Sequence, residues 1–179
     1  MRSKNRLFEE SPKSKKVYSY FHRRTGQVLA PIGLLKVLSI HSSASTYPRL
    51  NLLHEARSRE FKSVTSNLAR KFFDKELYLY ITGEKTIHGM RREFGEDWDK
   101  ICIILNDGNL LFKALGKRTR ERWLSAISVL LTEENYSYTD NVQDFILTGK
   151  ISLLINIATP SFTRHKKEIF ESTLGIVSS

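Results

Sequence analysis

The segment from Lys150 to Ala158 constrains the fold most, because its apolar side chains alternate with the two-residue period of a β-strand. One face carries Ile151, Leu153, Ile155 and Ile157, and the other carries Ser152, Leu154, Asn156 and Ala158. This pattern predicts a long strand with one strongly buried face and one mixed face. Pro160 cannot continue the ladder of a strand, and Ile169, Phe170 and Leu174 predict a short helix after it.

The length and composition of the chain favour one compact domain. With 179 residues, of which 40% are hydrophobic, it can bury a sizeable core, whereas two domains would each be small. The one cysteine, Cys102, lies in an apolar run, which indicates a buried thiol in a reducing compartment rather than a disulfide framework. No run approaches the about 18 apolar residues of a membrane span, and the N-terminus lacks the apolar core of a signal peptide. We therefore expect a soluble intracellular protein, at most peripheral to a membrane.

The predicted elements alternate irregularly between strands and helices, without a regular βαβ repeat. Strands are predicted over 34–40, 77–81, 101–105, 110–115 and 150–158, helices over 58–73 and 119–131, and an exposed charged loop over 83–99. Turn residues at 106–109 favour a β-hairpin between the third and fourth strands. The chain is therefore predicted to form a single compact α+β domain over residues 25–179, with a mainly antiparallel sheet packed by two or three helices. A flexible basic arm, disordered or partly ordered, is predicted at residues 1–24.

Positive charge is concentrated in this N-terminal arm. The formal net charge of the chain is +10, and residues 1–24 hold eight Lys and Arg against two Glu, which makes +6. Such an asymmetry indicates an anionic partner, either a phosphodiester backbone or an acidic lipid surface, with a solubilising tail as the alternative. The candidate contacts in the arm are Lys13, Lys15, Lys16, Arg23 and Arg24.

A second basic group lies at the start of the helix predicted over 119–131. Its members are Lys117, Arg118, Arg120 and Arg122. Glu121 is the one residue of opposite charge between Lys117 and Arg122. Cations beside a helix N-terminus oppose the helix dipole, so the group favours a bound anion at this end. Solvated side chains are the plainer alternative. The candidate contacts in this group are Lys117, Arg118 and Arg120.

An aromatic cluster follows the lysines of the arm. Its members are Val17, Tyr18, Tyr20 and Phe21. Flanked by cations, such side chains could stack on bases, insert at a lipid interface or dock on another subunit. A first strand that packs on the chain's own domain is the alternative.

The sequence contains no pattern of catalytic or metal-binding residues. The five histidines are dispersed and never lie at i and i+4, and HExxH, P-loop, GxGxxG and GxSxG patterns do not occur. Acidic pairs such as Glu133-Glu134 fall in predicted turns, where they do not support general acid–base chemistry. We therefore predict no catalytic residue, no metal and no cofactor, and a protein that is not an enzyme.

Three parts of the chain, taken in order, resemble the matrix proteins of rhabdoviruses. They are the lysine-rich arm Lys13-Ser14-Lys15-Lys16, the segment from Leu34 through Tyr47-Pro48-Arg49 to Phe73, and the turn glycine with its long strand between Phe145 and Ala158. In its short length the chain is similar to the plant-infecting, cytorhabdovirus-like branch. The PPxY and PTAP budding motifs of animal-virus members do not occur in it.

The resemblance implies a structural virion protein that self-associates and bridges the viral nucleocapsid to the inner face of a membrane during assembly and budding. It also implies that the cations of the arm contact acidic lipid or nucleocapsid. Val17, Tyr18, Tyr20 and Phe21 would dock on the next subunit. The expected partners are other copies of this chain, the viral nucleocapsid and acidic membrane lipids, with non-specific RNA binding left open. The expected location is the virion beneath the envelope and the cytoplasm and membranes of the host, with a nuclear phase left open.

Two other functions fit parts of the same pattern. A basic viral nucleic-acid-binding accessory protein, such as an RNA-silencing suppressor, would present basic and aromatic side chains on one exposed face. A phosphoinositide-binding module similar to a pleckstrin-homology domain would account for residues 109–131 as a strand, a basic turn and a helix with Trp123 at its centre.

Overall fold

Two sheets, one of four strands and one of two, lie within the described part of the chain. The computed structural model describes residues 12–45, 49–57, 60–83, 85–109, 116–133, 135–139, 144–160 and 163–164. The named helices are α1 (Pro12–Ser43), α2 (Lys62–Ala69), α3 (Ile87–Phe94) and α4 (Lys117–Thr132). The strands are β1 (Leu52–Ala56), β2 (Tyr78–Ile81), β3 (Cys102–Leu105), β4 (Asn135–Thr139), β5 (Asp144–Thr148) and β6 (Ser152–Ala158). Short 3-10 helices at Arg70–Phe72 and Lys75–Leu77 follow α2.

The four-stranded sheet is wholly parallel, in the order β1-β6-β3-β2. The prediction of a mainly antiparallel sheet is therefore wrong, although the mixed class of helices and strands is right. The connections explain the difference. The chain passes through α2 between β1 and β2, and through α3 between β2 and β3, so each strand begins again at the same end of the sheet. Among the strands that the structure describes, β4 and β5 form the one antiparallel pair.

The central strand of this sheet, β6, is buried on both faces. It pairs with β1 on one side and β3 on the other, and all seven of its residues are buried. The predicted strand is confirmed. The face predicted to be mixed is buried as well, because helices cover both faces of a parallel sheet.

Helices cover each face of the four-stranded sheet. On the first face, Ile40 of α1 and Ala69 of α2 pack with Ile104 and Leu154 of the strands. On the second face, residues of α3, α4 and the β4–β5 hairpin form a larger core with Ile103, Leu153 and Ile155. The sheet therefore separates α1 and α2 from α3 and α4.

Helix α1 occupies the segment that was predicted to contain a strand at 34–40, and that prediction is wrong. Its buried apolar residues recur at helical spacing and include Ala30, Leu34, Val37 and Ile40. The helix bends at Gly26, where φ is 80° and ψ is 174°. Phe21 is fully buried, and an added Cβ at Gly33 would lie 2.1 Å from an atom of its ring. This packing fastens the helical residues 12–24 of the predicted arm to the domain, whereas residues 1–11 lie outside the described residues.

The remaining predictions divide by segment. Helices α2 and α4 confirm the predicted helices, and β2 confirms the strand at 77–81. Helix α3 lies in the segment predicted to be an exposed loop, and its first turn is capped by the Thr86 hydroxyl, which accepts from the amide of Gly89. The predicted hairpin is wrong for β3, which pairs with β2 and β6. The second strand of the predicted hairpin, at 110–115, lies outside the described residues, as does most of the helix predicted after Pro160.

The thiol of Cys102 should not react with iodoacetamide in the folded protein. The residue lies in β3 and is fully buried, and this burial raises the pKa of the thiol to about 12. Because the thiolate is the nucleophile, alkylation is expected to follow the rate of unfolding. Mass spectrometry of samples quenched over time, with and without urea, measures this. Rapid alkylation without denaturant would contradict the buried position.

Candidate anion-binding surfaces

The basic residues predicted to bind anions fall into two groups, and the four-stranded sheet separates them. Lys13, Lys15, Lys16, Arg23 and Arg24 lie on α1, which packs on the first face. Lys117, Arg118 and Arg120 lie on α4, which packs on the second face. The two groups therefore belong to different surfaces.

A cleft of about 460 Å³ lies between the N-terminal half of α1 and the 3-10 helix at Arg70–Phe72. It is lined by Lys15, Lys16, Val17, Ser19, Tyr20, Arg23 and Phe72. We call it the α1 cleft. It brings together three of the predicted cations, two of the predicted aromatic-cluster residues and Phe72, which was not predicted as a site residue.

The aromatic side of the α1 cleft is built from rings that hold one another. The ring of Phe72 meets that of Tyr20 edge-on at 5.0 Å and lies nearly parallel to that of Phe21 at 6.1 Å. The guanidinium of Arg24 lies 3.8 Å from the centre of the Tyr20 ring, a cation–π contact. Phe72 nevertheless remains 40% exposed. The cleft thus presents an accessible ring on a firmly packed base.

The cationic side of the α1 cleft has no acidic counterpart on its own helix. No Asp or Glu occurs between Pro12 and Ser43, and the five predicted cations of α1 are exposed. Nε of Arg23 donates to the carbonyl oxygen of Ser19 at 3.4 Å, which holds its guanidinium beside another lining residue. Positive charge at the N-terminal end of a helix adds to the positive pole of the dipole. The cleft therefore suits an anionic ligand.

The residues predicted to dock on another subunit are only partly available. Val17, Tyr18 and Tyr20 are half-buried, but Phe21 is fully buried among residues of its own chain. Phe21 is therefore a core residue, because the space left by Gly33 admits its ring.

The basic group at the start of α4 is more dispersed. Lys117 and Arg118 are exposed and Arg120 is half-buried, and Lys117 lies 3.8 Å from the carboxylate of Glu121 one turn away. Gly116 precedes the helix and provides no side-chain cap. Such an exposed pair contributes little to stability.

A further basic cleft, the α3 cleft, lies close to this group and was not predicted from the sequence. It has a volume of about 340 Å³ and is lined by His88, Arg91, Arg92, Gly95 and Glu96. The guanidinium of Arg91 lies over the ring of Phe145 and pairs with Glu96. Tyr138 links the two sites, because its ring meets His88 edge-on and its hydroxyl accepts from Arg122 of α4 at 2.8 Å. The sequence does show two adjacent arginines, Arg91 and Arg92, but they fall in the segment that was predicted to be an exposed loop.

A buried polar cluster joins α1, α2 and β6, and we call it the Lys36 cluster. Nζ of Lys36 has four oxygen partners within 2.9 Å, and its side chain is completely buried. The partners are the carbonyl oxygen of Lys62, the hydroxyls of Thr65 and Ser66, and Oδ1 of Asn156. Nδ2 of Asn156 also donates to the Ser66 hydroxyl at 2.9 Å.

Burial disfavours the charged form of the Lys36 amine. It lowers the pKa of the amine from 10.5 to about 6, and the charge of Lys62 acts in the same direction. In all four contacts Nζ of Lys36 is the donor and the oxygen atom accepts. Burial and the two lysines likewise lower the pKa of His54, in β1 opposite Asn156, to about 4.

The Lys36 cluster is structural rather than catalytic in this conformation. A lysine amine 2.9 Å from a serine hydroxyl is an arrangement found in some nucleophilic sites. Ser66, however, is completely buried, so a substrate cannot reach it. The network instead satisfies buried polar groups that would otherwise cost free energy and ties α1 to the sheet.

The described ranges contain no group of three His, Cys, Asp or Glu side chains placed to hold a metal ion. Nor does any helix among them have the length and apolar character needed to cross a bilayer.

No protein-family model matches the chain, and no curated protein matches it.

Proposed function

We propose that this protein is a viral matrix protein, a structural protein that self-associates and bridges a nucleocapsid to the inner face of an acidic membrane during assembly and budding. The observation that supports this most is the presence of separate basic surfaces on α1 and α4, on opposite sides of one sheet. A protein with one polyanionic partner needs only one such surface. Two surfaces suit a protein that lies between two polyanions.

The charge on each surface is sufficient for peripheral binding. A Lys or Arg near an acidic membrane contributes about 1 kcal/mol, so a few cations on one surface hold a protein there without a lipid anchor. Contacts with a phosphodiester backbone draw on the same charge and weaken steeply with salt. Both interactions should therefore be strongest at low ionic strength.

The self-association part of the proposal rests on the exposed side of α1. Tyr18 and Tyr20 are half-buried, and Val28, just after the bend, is 82% exposed. A second copy that covered these apolar groups would remove them from water. Phe21 supports this surface from below rather than contacting the second copy.

Co-flotation tests the bridging function directly. Fluorescent polyuridylate RNA is mixed with phosphatidylserine-containing vesicles and floated on a density gradient, with and without the protein. We expect the RNA to float only when the protein is present. The Lys15→Glu, Lys16→Glu variant and the Lys117→Glu, Arg118→Glu variant should each lose this bridging, because each reverses the charge of one surface.

The Lys75→Glu, Arg164→Glu variant is the matched control, since it changes the net charge equally at exposed residues outside both groups. It should bridge like the wild type. Sedimentation velocity of the same samples at decreasing salt should show reversible growth into large species. RNA that stays at the bottom although the protein binds it would contradict bridging and favour a nucleic-acid-binding accessory protein. A monomer at every salt concentration would contradict self-association.

A further inference from the structure

We propose that the α1 cleft binds unpaired nucleotides of single-stranded RNA, with a base stacked on Phe72 and the adjoining phosphates held by Lys15, Lys16 and Arg23. The inference rests on the proposed function in one respect, since it assigns the nucleocapsid side of the bridge to α1. The cleft, its ring and its cations do not depend on that assignment.

Phe72 has the properties of a stacking platform. Its ring lies beside that of Phe21, which is completely buried, and nearly perpendicular to that of Tyr20, yet the residue is 40% exposed and lines the cleft. A flat, partly apolar group stacked on this ring would remove its exposed surface from water. A nucleobase is such a group, and stacking accepts every base because every base has a π-face.

The cations of the α1 cleft provide the electrostatic part of such a site. Lys15, Lys16 and Arg23 line the same cavity as Phe72, and α1 has no acidic side chain that would repel a phosphate. Proteins that bind single strands without sequence preference combine a positive groove with aromatic side chains in this way. A volume of about 460 Å³ is within the range of small-molecule sites, which is the scale of one nucleotide.

The packing of the site favours RNA over a membrane surface. Aromatic side chains that anchor proteins in a bilayer must reach into the interfacial region, whereas the rings of Phe72 and Tyr20 pack on each other and on the buried Phe21. A base extruded from a single strand can enter such a cleft, but the stacked bases of a duplex cannot. The α1 cleft should therefore distinguish single-stranded from double-stranded RNA.

Fluorescence anisotropy with a fluorescein-labelled oligouridylate, and with an RNA duplex of equal length, tests the inference. The Phe72→Leu variant should bind the single strand about tenfold more weakly, in keeping with the known contribution of one base–aromatic stack, and should bind the duplex unchanged. Phe72→Tyr, which retains a ring, should restore single-strand binding. The Lys15→Glu, Lys16→Glu variant should weaken binding of both RNAs.

Phe61→Leu is the matched control, because Phe61 is 58% exposed at the start of α2 and does not line the α1 cleft. It should bind both RNAs like the wild type, and thermal unfolding verifies that each variant is folded. Unchanged single-strand binding by a folded Phe72→Leu variant overturns the inference. A loss of vesicle flotation in that variant, with RNA binding intact, overturns it in favour of a membrane site.

The two proposals fail separately. If Phe72→Leu weakens single-strand binding but the wild-type protein does not bridge RNA to vesicles, the nucleotide site is supported and the matrix function is contradicted. Bridging that persists in Phe72→Leu with unchanged RNA affinity retains the matrix function and loses the nucleotide site.

Discussion

The free energy of unfolding of the wild-type protein should increase as pH rises above neutrality, and the Lys36→Met variant should not show this increase. The pKa of Lys36 is about 6 in the folded protein and 10.5 without its surroundings. Between these values the unfolded chain binds one proton more than the folded chain. The free energy of unfolding therefore increases by about 1.4 kcal/mol per pH unit in this window, and decreases as pH falls towards 6. Below pH 6 both states carry the proton and the difference stays constant.

Urea unfolding of both proteins between pH 7 and 9 measures this difference. The charged and titratable groups near the amine are Lys62 of α2 and His54 of β1, and the Thr65, Ser66 and Asn156 side chains around it are uncharged. We expect the wild type to gain about 3 kcal/mol relative to Lys36→Met over these two pH units. Lys71→Met, at an exposed residue, should follow the wild type. Parallel curves for the wild type and Lys36→Met would show that the buried amine keeps its proton.

The second large effect is expected at the turn between β5 and β6, where Gly149→Ala should lower the free energy of unfolding by about 4 kcal/mol or more. Gly149 has φ +106°, a region that residues with a side chain rarely adopt. An added Cβ would also lie 2.2 Å from the backbone nitrogen of Asp99 and 2.3 Å from its Cα. Backbone atoms cannot rotate away as a side chain can, so the turn itself would have to move.

Displacement of this turn would also break the contacts that fix the segment after α3. The amide of Trp98 donates to the Thr148 carbonyl at 2.7 Å, and the amide of Thr148 donates to the Glu96 carbonyl at 2.8 Å. Trp98 is completely buried, so its displacement would open the core of the second face. The loss should therefore exceed the backbone strain alone.

The Gly95→Ala variant separates the cost of an unfavourable backbone conformation from the cost of a steric clash. Gly95 also has positive φ, +81°, but an added Cβ would meet no atom within 4 Å. We expect this variant to lose only about 1–3 kcal/mol, the cost of an unfavourable backbone conformation. Chemical denaturation of both variants makes the comparison. Equal losses would mean that the Asp99 backbone yields without cost.

Elements with strong local periodicity were predicted correctly from the sequence. In α4, Trp123, Ile127 and Leu130 lie one turn apart and are all buried. In β6 the alternation was clear, and β-branched residues favour a strand there. In both segments the local pattern and the tertiary contacts agree, which is why the pattern was sufficient.

The C-terminal half of α1 shows where the local pattern was ambiguous. Leu34, Leu38 and Ile40 can be read as an alternating strand, but Leu34, Val37 and Ile40 also recur as one face of a helix, and these three residues are buried. The helix is favoured over the strand because the ring of Phe21, twelve residues earlier, packs against Gly33. The choice therefore depended on a contact that periodicity does not reveal.

The candidate site, like the fold, could be predicted only in part from the sequence. The sequence by itself determined which residues carry the positive charge and the aromatic groups of α1, because composition and order are local properties. It also determined that the single cysteine belongs to an apolar, buried segment. Only the tertiary structure decided that Phe72 completes the α1 cleft, that the two basic groups face away from each other, and that the sheet is parallel. The burial of Lys36 was likewise decided there, since its partner Asn156 is 120 residues away. Contacts between distant segments depend on how the whole chain packs, and no local pattern of residues encodes them.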